Sequence, residues 1–180
     1  FTRPERSIIK TGSSIIIMYM ANETKSTDLD YEERLSPHFT VGEMLRSGTA
    51  LTLGIPNLPP EQSAGDETGR EEVMANLHAL CEQVLEPLRR QVGRVIITSG
   101  YRCEALNEAV EGARHSQHQR GEAADIHVTG TEMCRKYAAI LRRTPFDQLI
   151  LEPRLSAKKR WIHVSYRRTG HNRHQLLGMG

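Results

Sequence analysis

The sequence predicts a single α+β domain in which a small, mostly antiparallel sheet is flanked by helices. Three observations support this class. At 180 residues the chain is long enough for one domain with a proper core, and a second full domain is not expected. A long helical pattern begins at Arg70. Several short apolar runs of strand length follow it, and the last two are most simply joined as a hairpin. Helices grouped around a few such strands are typical of the α+β class.

The segments outside this domain are polar or basic. We predict a disordered arm over residues 1 to 34, because residues 22 to 34 are polar and acidic without a sustained period. The domain should cover residues 35 to 167, and residues 168 to 180 should form a basic surface tail. The longest apolar run, residues 15 to 21, is far shorter than the roughly 20 residues of a membrane span and lacks a convincing cleavage site. No membrane partner is expected, and the route of export stays open.

Three segments precede the long helix. Thr40 can cap a short helix over residues 41 to 47, with Glu43 at the capping-box position. Residues 50 to 58 are apolar but interrupted by glycine and proline, so we expect a loop that packs on the core. A flexible polar connection over residues 61 to 69 should follow.

The long helix has the strongest periodicity in the chain. Its apolar residues recur at spacings of three and four and give one stripe: Val73, Leu77, Leu80, Cys81, Val84 and Leu88. Pro87 should kink this helix or end its last turn. Two further helices are predicted, over residues 104 to 110 and over residues 132 to 143. Thr131 would cap the second of them, and Pro145 would close it.

Four strands are predicted from short apolar runs. They cover residues 94 to 98, 123 to 128, 147 to 152 and 161 to 166. The first should be buried and stop at Ser99-Gly100. On the second, Ala123, Asp125 and His127 share one face, because side chains alternate along a strand with a period of two.

The composition excludes several classes of function. The formal net charge of +2 is too small to imply a nucleic-acid partner. Basic residues cluster in the C-terminal third, where a solvated basic face is favoured over a surface for a polyanion. An odd number of cysteines without a C-x-x-C pair argues against a disulfide framework and against a cysteine-rich zinc site. These cysteines are Cys81, Cys103 and Cys134.

Two stretches carry residues that suit a metal ion. His118 and Asp125 are seven residues apart, and Gly121 between them would let the chain fold back so that the two side chains meet. His163 lies in the middle of a later alternating run. Two histidines and one aspartate are ligands that suit a catalytic zinc with one position left for water. On this spacing alone, hydrogen-bonded core or surface groups are an alternative.

The wider pattern of motifs resembles a known family. The motifs are Ser99-Gly100-Tyr101-Arg102, Leu106-Asn107, Gly112-Ala113, S-x-H-x-x-G-x-A-x-D from Ser116, Phe146-Asp147-Gln148-Leu149-Ile150 and Trp161-Ile162-His163-Val164-Ser165-Tyr166. In this order they resemble the zinc D-Ala-D-Ala carboxypeptidases of peptidase family M15, most of all its small bacterial and phage-borne branch. The resemblance covers about residues 35 to 167. It implies the α+β fold shared with the Hedgehog signalling domain, one zinc ion and cleavage of peptide bonds in bacterial cell-wall stems.

The resemblance also assigns roles to particular residues. It implies that His118, Asp125 and His163 are the ligands of Zn²⁺. Arg102 matches the family arginine that lies beside the metal, where a guanidinium can stabilise an oxyanion or hold a substrate carboxylate. The alternative for Arg102 is an ordinary surface ion pair.

The sequence departs from the family at the general base. Many members carry a glutamate or aspartate three residues before the last histidine ligand, or a histidine two residues before it. This chain has Arg160 and Trp161 at those positions before His163. Neither side chain is a credible base.

We predict Glu152 as the catalytic base. If the hairpin register places Ile150 opposite His163, then Glu152 points to the ligand face, whereas a slip of one residue turns it away. A solvated glutamate at the hairpin end is the alternative. His127 is the second candidate, because it shares a face with Asp125 and could instead orient a ligand.

We expect a zinc-dependent peptidase that acts on peptidoglycan stems by attack of zinc-activated water, as a D,D-carboxypeptidase or as an endopeptidase of the endolysin type. Its partner would be the stem peptide, and we expect a monomer. The missing base motivates a second hypothesis, a catalytically silent zinc-binding module for cell-wall or protein contact. Nucleic-acid binding through the basic C-terminal third is a third and weaker hypothesis, because no nucleic-acid-binding motif accompanies the charges.

Overall fold

The computed structural model describes residues 29–65, 67–152 and 160–178. Most of the expected N-terminal arm, the apolar run at residues 15 to 21 and the connection between the last two predicted strands lie outside the described residues. No helix within the described ranges has the length and apolar character that crossing a membrane requires.

The described chain forms two sheets. A small antiparallel pair consists of β1 (Arg34–Ser36) and β2 (Phe39–Thr40). The main sheet has five strands in the order β3-β4-β6-β5-β7, and only the β5/β7 pair is parallel. Its strands are β3 (Ile97–Ser99), β4 (Ala123–Val128), β5 (Gln148–Glu152), β6 (Arg160–Ser165) and β7 (Gln175–Leu177). The predicted α+β class with a mostly antiparallel sheet is confirmed.

The described residues also form six α-helices. They are α1 (Val41–Leu45), α2 (Gly48–Leu53), α3 (Arg70–Leu80), α4 (Glu86–Val92), α5 (Glu104–Ala109) and α6 (Gly130–Leu141). Leu77 and Leu88 of the long helical segment belong to the same buried core as Ile126 of β4 and Val164 of β6. Alternation along the strands therefore turns one face of the sheet into the core and leaves the opposite face for polar groups.

The long helix continues past Pro87. A π-helical segment, Cys81–Leu85, joins α3 to α4, and the backbone N–H of Glu86 donates to the carbonyl of Cys81. A wider turn of this kind is a common way to absorb a local disruption of the α-helical hydrogen-bond pattern. Pro87 lies in the first turn of α4, where a missing N–H costs little. Of the two effects predicted for Pro87, ending the helix is therefore wrong, and the disruption instead takes the form of the π-helical segment just before it.

Two local predictions also need correction. Residues 48–53 form α2 because Ser47 accepts a hydrogen bond from the N–H of Ala50 and Gly54 closes the helix at φ 66°, so the predicted loop begins only after it. Strand β3 is not buried as predicted, because it lies at the edge of the sheet and pairs only with β4. By contrast, the capping box of Thr40 and Glu43 at α1 is confirmed.

The ends of the domain extend beyond the predicted boundaries. The carbonyl of Tyr31, in the expected arm, accepts a hydrogen bond of 2.8 Å from the N–H of Gly42. At the other end, part of the expected surface tail becomes β7, which pairs with β5 while its side chains stay mostly exposed. Backbone pairing with a sheet edge holds this polar segment, and such pairing leaves little trace in side-chain periodicity.

A buried carboxylate anchors the N-terminal hairpin to the long helix. Glu86 accepts hydrogen bonds from the hydroxyl of Ser36 at 2.8 Å and from the backbone N–H of His38 at 2.8 Å, and it pairs with the His38 ring at 2.9 Å. Burial alone would raise the pKa of Glu86, but these contacts lower it below its usual value. This anchor lies on elements that do not carry the residues of the site described next.

Candidate metal centre

The two candidate ligands on strands face each other directly. Asp125 of β4 is paired with His163 of β6 in the antiparallel register, so their side chains project from the same face of the sheet. The third candidate, His118, lies in a short 3-10 helix, Gln117–Arg120, that precedes β4. The structure thus brings together the three residues that the sequence singled out, and it does so on the face opposite the core.

The turn that carries His118 has a fixed shape. The hydroxyl of Ser116 accepts a hydrogen bond of 3.3 Å from the backbone N–H of His118. Gly121 ends the turn at φ 70°, and a Cβ at this position would lie only 2.6 Å from the carbonyl oxygen of Val73. The turn is therefore packed against α3, and only glycine fits its last position without strain.

Three potential ligand atoms converge on one point. His118 Nε2 lies 3.2 Å from His163 Nδ1 and 3.2 Å from Asp125 Oδ1. His163 Nδ1 lies 3.0 Å from Asp125 Oδ1. A tetrahedral zinc with ligands at 2.0–2.1 Å would separate its ligand atoms by about 3.3 Å. The triangle of these three atoms therefore has about the size of one face of a tetrahedron of zinc ligands. The fourth ligand position would be left for water.

The tautomer of His118 is fixed from outside the cluster. Its Nδ1 lies 2.6 Å from the carbonyl oxygen of Gly100, a group that can only accept a hydrogen bond. Nδ1 must therefore carry the proton, and Nε2 presents a lone pair to the cluster. A ring nitrogen bonded to a backbone carbonyl is the usual support for a metal-binding histidine.

Arg102 acts on Asp125 in this structure. Its Nη2 donates to Asp125 Oδ2, and its Nε donates to the hydroxyl of Ser99 at 2.7 Å. The arginine holds one carboxylate oxygen, so that the other, Oδ1, is turned toward His118 and His163. The surface ion pair considered from sequence does not describe this contact, because both side chains are largely buried. An additional role toward a substrate stays a prediction.

Burial and charge set the protonation states of the cluster. Burial alone would raise the pKa of Asp125, but its contacts with the imidazoles of His118 and His163 hold this pKa well below its usual range. Burial is also the main reason why the pKa of His118 is lowered, against the opposing effect of Asp125. An ionised carboxylate and a neutral imidazole are the forms that coordinate a metal.

The hairpin register on which the candidate base depends is the predicted one. Ile150 is paired with His163, and Glu152 is paired with Trp161. Glu152 therefore lies one pair beyond the ligands on their face of the sheet, about 6.8 Å along the strand. Its side chain lies outside the described part of the structure. His127 occupies the same row, paired with Trp161 on the other side. Its ring is exposed, with Nε2 3.5 Å from the hydroxyl of Thr129.

A polar cavity of about 110 Å³ lies against the turn that carries His118. Its charged lining consists of Arg102, Arg114, Arg120, His115, Glu67 and Glu104. Ser116 also lines the cavity, which connects it to the ligand turn. The cavity therefore places positive and negative groups beside the candidate metal centre.

Sequence reasoning missed the groups that orient the ligands. Ser99 and Gly100 were noted as the end of a strand and as part of the Ser-Gly-Tyr-Arg motif, but neither was given a role toward the ligands. The available signal was their position directly before Arg102 in that motif. Their partners, Arg102 and His118, could be assigned only in three dimensions.

A protein-family model, Peptidase M15, matches residues 37–165. The chain belongs to the peptidase M15 family. Members of this family are in general zinc-dependent peptidases. The matched segment includes His118, Asp125 and His163. No curated protein matches this peptidase significantly.

The donor set of this M15 peptidase fits the metal that its family uses. Among the described residues, His118, Asp125 and His163 form the cluster of histidine, cysteine or acidic side chains that could hold an ion. Two imidazole nitrogens and one carboxylate oxygen are typical of zinc in hydrolytic enzymes. The hydrogen bond that His118 donates to the Gly100 carbonyl and the one that Asp125 accepts from Arg102 supply the outer support that such ligands require.

Proposed function

We propose that this M15 peptidase hydrolyses peptide bonds in the stems of bacterial peptidoglycan, with one zinc ion held by His118, Asp125 and His163. The observation that carries the proposal is the triangle of ligand atoms with sides of 3.0 Å and 3.2 Å. When bound there, zinc would lower the pKa of its water to about 7 and polarise the scissile carbonyl.

Arg102 has two roles in the proposed reaction. Arg102 holds Asp125 in place through the contact with Oδ2. Its guanidinium, which carries five N–H donors, retains donors for the developing oxyanion or for a carboxylate of the substrate. Because Arg102 also lines the polar cavity, a substrate that fills this cavity would meet the guanidinium at the edge of the metal centre.

Glu152 is the proposed general base. Its position beside the ligand row supports this role, since a base must reach the attacking water and then pass the proton to the leaving amine. His127 in the same row is the second candidate. Different substitutions test the two candidates. If Glu152 is the base, Glu152→Gln should lose activity and retain zinc. If His127 is the base, His127→Asn should do so instead.

The proposed substrate rests on the family resemblance and on the charge of the cavity. Stem peptides carry free carboxylates and amines, and the cavity offers both arginines and glutamates. Cleavage as a D,D-carboxypeptidase would release a terminal D-alanine, whereas cleavage as an endopeptidase of the endolysin type would divide the stem or a cross-bridge.

The decisive experiment is incubation of the full chain with defined muropeptides and zinc, followed by mass spectrometry of the products. We expect a product that gains one water per bond cut, loss of that product on chelation, and recovery on addition of zinc. His118→Ala should abolish the product, and His78→Ala, which removes an exposed helical histidine paired with Glu82, should leave it unchanged. Hydrolysis that survives both chelation and His118→Ala would refute the proposal.

A catalytically silent zinc-binding module is the second candidate function. The observation that favours it is the presence of Arg160 and Trp161 at the positions where many family members carry a base. In that case the parent protein would bind zinc with the same ligands but release no product from any muropeptide. A product that disappears in Glu152→Gln, with zinc still bound, would exclude the module.

A further inference from the structure

A second buried carboxylate lies close to the metal centre but belongs to a different set of contacts. Asp147, immediately before β5, is completely buried. Arg173 donates to it from the backbone N–H at 2.9 Å and from Nε at 3.0 Å to Oδ1, and from Nη2 at 2.5 Å to Oδ2. Arg167 lies nearby, with Nε 3.7 Å from Oδ2. Asp147 thus fixes the C-terminal segment that follows β6.

The same carboxylate also contacts the turn that carries a zinc ligand. The side-chain amide of Gln117 donates to Asp147 Oδ2 at 3.0 Å. Gln117 immediately precedes His118, and its carbonyl accepts a hydrogen bond of 3.0 Å from the N–H of Glu122. Its amide oxygen accepts from Arg173 Nη2 at 3.5 Å. Gln117 therefore closes the ligand turn on one side and joins Asp147 and Arg173 on the other.

The backbone of Asp147 completes the connection. Its N–H donates to the carbonyl of Ser165 at 2.7 Å, two residues after His163. Its carbonyl accepts a hydrogen bond of 2.9 Å from the N–H of Gln175, at the start of β7. One residue therefore links the strand of one ligand, the turn of another and the edge strand β7.

We propose that Asp147 is a positioning residue for the metal centre: through Gln117 and Arg173 it uses the C-terminal segment as a clamp on the turn that holds His118. The role rests on the proposed zinc site. The family match ends at residue 165. Arg167 and Arg173, the two arginines beside Asp147, therefore lie in a part of the chain that the family model does not cover. An ionised Asp147 suits this role, because its partners are N–H donors that carry a proton throughout the physiological range.

The clamp is tested by zinc affinity, measured in the full chain by competition with a chromophoric chelator. We expect Asp147→Asn and Arg173→Gln each to raise the dissociation constant for zinc about tenfold, as loss of outer support does at other metal centres. Arg173→Lys keeps the positive charge but not the paired N–H donors. Its zinc affinity should therefore lie between that of the wild-type protein and that of Arg173→Gln. The visible spectrum of the cobalt-substituted protein should shift in Asp147→Asn, since the geometry of the His118 ligand changes.

Two further variants separate positioning from stability. Gln117→Met leaves the pair of Asp147 and Arg173 intact and removes its link to the turn, together with a long contact of 3.4 Å to Glu122, so it should weaken zinc binding with little loss of thermal stability. Glu86→Gln disrupts the buried carboxylate anchor on the long helix. It should lower thermal stability while the zinc dissociation constant stays within about twofold, because Glu86 has no contact with the ligand turn.

The outcomes distinguish the clamp from the proposed function. Unchanged zinc affinity and cobalt spectra in Asp147→Asn, Arg173→Gln and Gln117→Met would overturn the clamp, and so would an equal loss of affinity in Glu86→Gln. A wild-type protein that binds zinc but cleaves no muropeptide would overturn only the proposed function. If the wild-type protein binds no zinc, both proposals fail.

Discussion

Asp125 and Asp147 are both buried aspartates held by an arginine, yet they serve different purposes. The two oxygens of Asp147 face N–H donors of Arg173 and Gln117. Asp125 gives one oxygen to Arg102 and turns the other toward two imidazole nitrogens. A guanidinium or an amide keeps its protons, whereas an imidazole nitrogen can exchange its proton for a metal.

If the proposed zinc site is correct, this difference separates a metal ligand from a structural anchor. Burial and a lowered pKa are common to both residues and therefore do not separate them. What separates them is the chemistry of the partners: two imidazole nitrogens converge on one oxygen of Asp125, whereas guanidinium and amide N–H donors converge on Asp147. The following predictions test this contrast, beginning with the largest effect.

Removing the carboxylate at the metal centre should have the largest effect. Asp125→Ala should weaken zinc binding by about a thousandfold or more, because one of three protein ligands is lost. Peptide hydrolysis should fall with it. The measurement is zinc content by mass spectrometry after equilibrium dialysis. Asp30→Ala, at an exposed turn, is the control, and full zinc content in Asp125→Ala would contradict the assignment.

Removing the charge at the anchor should instead affect folding. Asp147→Asn in the chelator-treated protein should lower the free energy of unfolding by about 2–3 kcal/mol, because a buried amide replaces a carboxylate that accepts charge-assisted hydrogen bonds, while the Arg173 left behind is partly exposed to solvent. Urea denaturation measures this change. If zinc affinity in Asp147→Asn fell as far as in Asp125→Ala, the contrast between ligand and anchor would be lost.

The turn between the two carboxylates offers a third test. Gly121→Ala should cost about 2–3 kcal/mol of stability, because the new Cβ meets the carbonyl of Val73 and the residue must keep a left-handed backbone. The matched control is Gly130→Ala, which has a similar φ of 73° but open space around it. That variant should lose only about 1 kcal/mol. Equal losses in thermal denaturation would show that the packing of the turn is unimportant.

The anchor should also give the metal-free protein a characteristic acid sensitivity. Burial opposes ionisation of Asp147, but the hydrogen bonds and charge of Arg173 lower its pKa from 3.8 to about 2. A carboxyl group with a lowered folded-state pKa stabilises fully above its unfolded pKa, and this contribution is lost as the pH falls from about 4 to about 2. The free energy of unfolding, measured against pH, should decrease over this window. The decrease should be smaller in Asp147→Asn, and an unchanged slope would contradict the role of Asp147.

The smallest effect should come from the cap of the ligand turn. Ser116→Ala removes the hydrogen bond to the N–H of His118 and should cost about 1 kcal/mol of stability. Zinc affinity should fall less than threefold, because Gly100 and Asp147 still hold the turn. Loss of affinity as large as in Gln117→Met would show that the cap, and not the clamp, fixes His118.

The metal centre could be predicted from the sequence because its signals are local. Alternation along β4 placed Asp125 on one face, the spacing around Gly121 brought His118 to it, and His163 lay in a later alternating run. The resemblance to the M15 family then assigned these three residues together as ligands. Each of these steps depends on spacing within one element or one motif.

The anchor could not be predicted, because it depends on contacts between distant segments. Arg173 lies in a polar tail without periodicity, and its pairing with Asp147 spans 26 residues. The tail itself is held by backbone hydrogen bonds to β5, which any sequence can make. The motif Phe146-Asp147-Gln148-Leu149-Ile150 was visible as part of the resemblance, but its aspartate had no assigned partner until the fold was known.

The zinc site itself is tested most directly by X-ray absorption at the zinc edge on the zinc-loaded full chain. We predict one zinc per chain, with only nitrogen and oxygen ligands at about 2.0–2.1 Å and the scattering of two imidazole rings. His163→Ala should remove the scattering of one ring. Sulfur at about 2.3 Å in the ligand shell, or an unaltered spectrum in His163→Ala, would contradict a zinc site built from His118, Asp125 and His163.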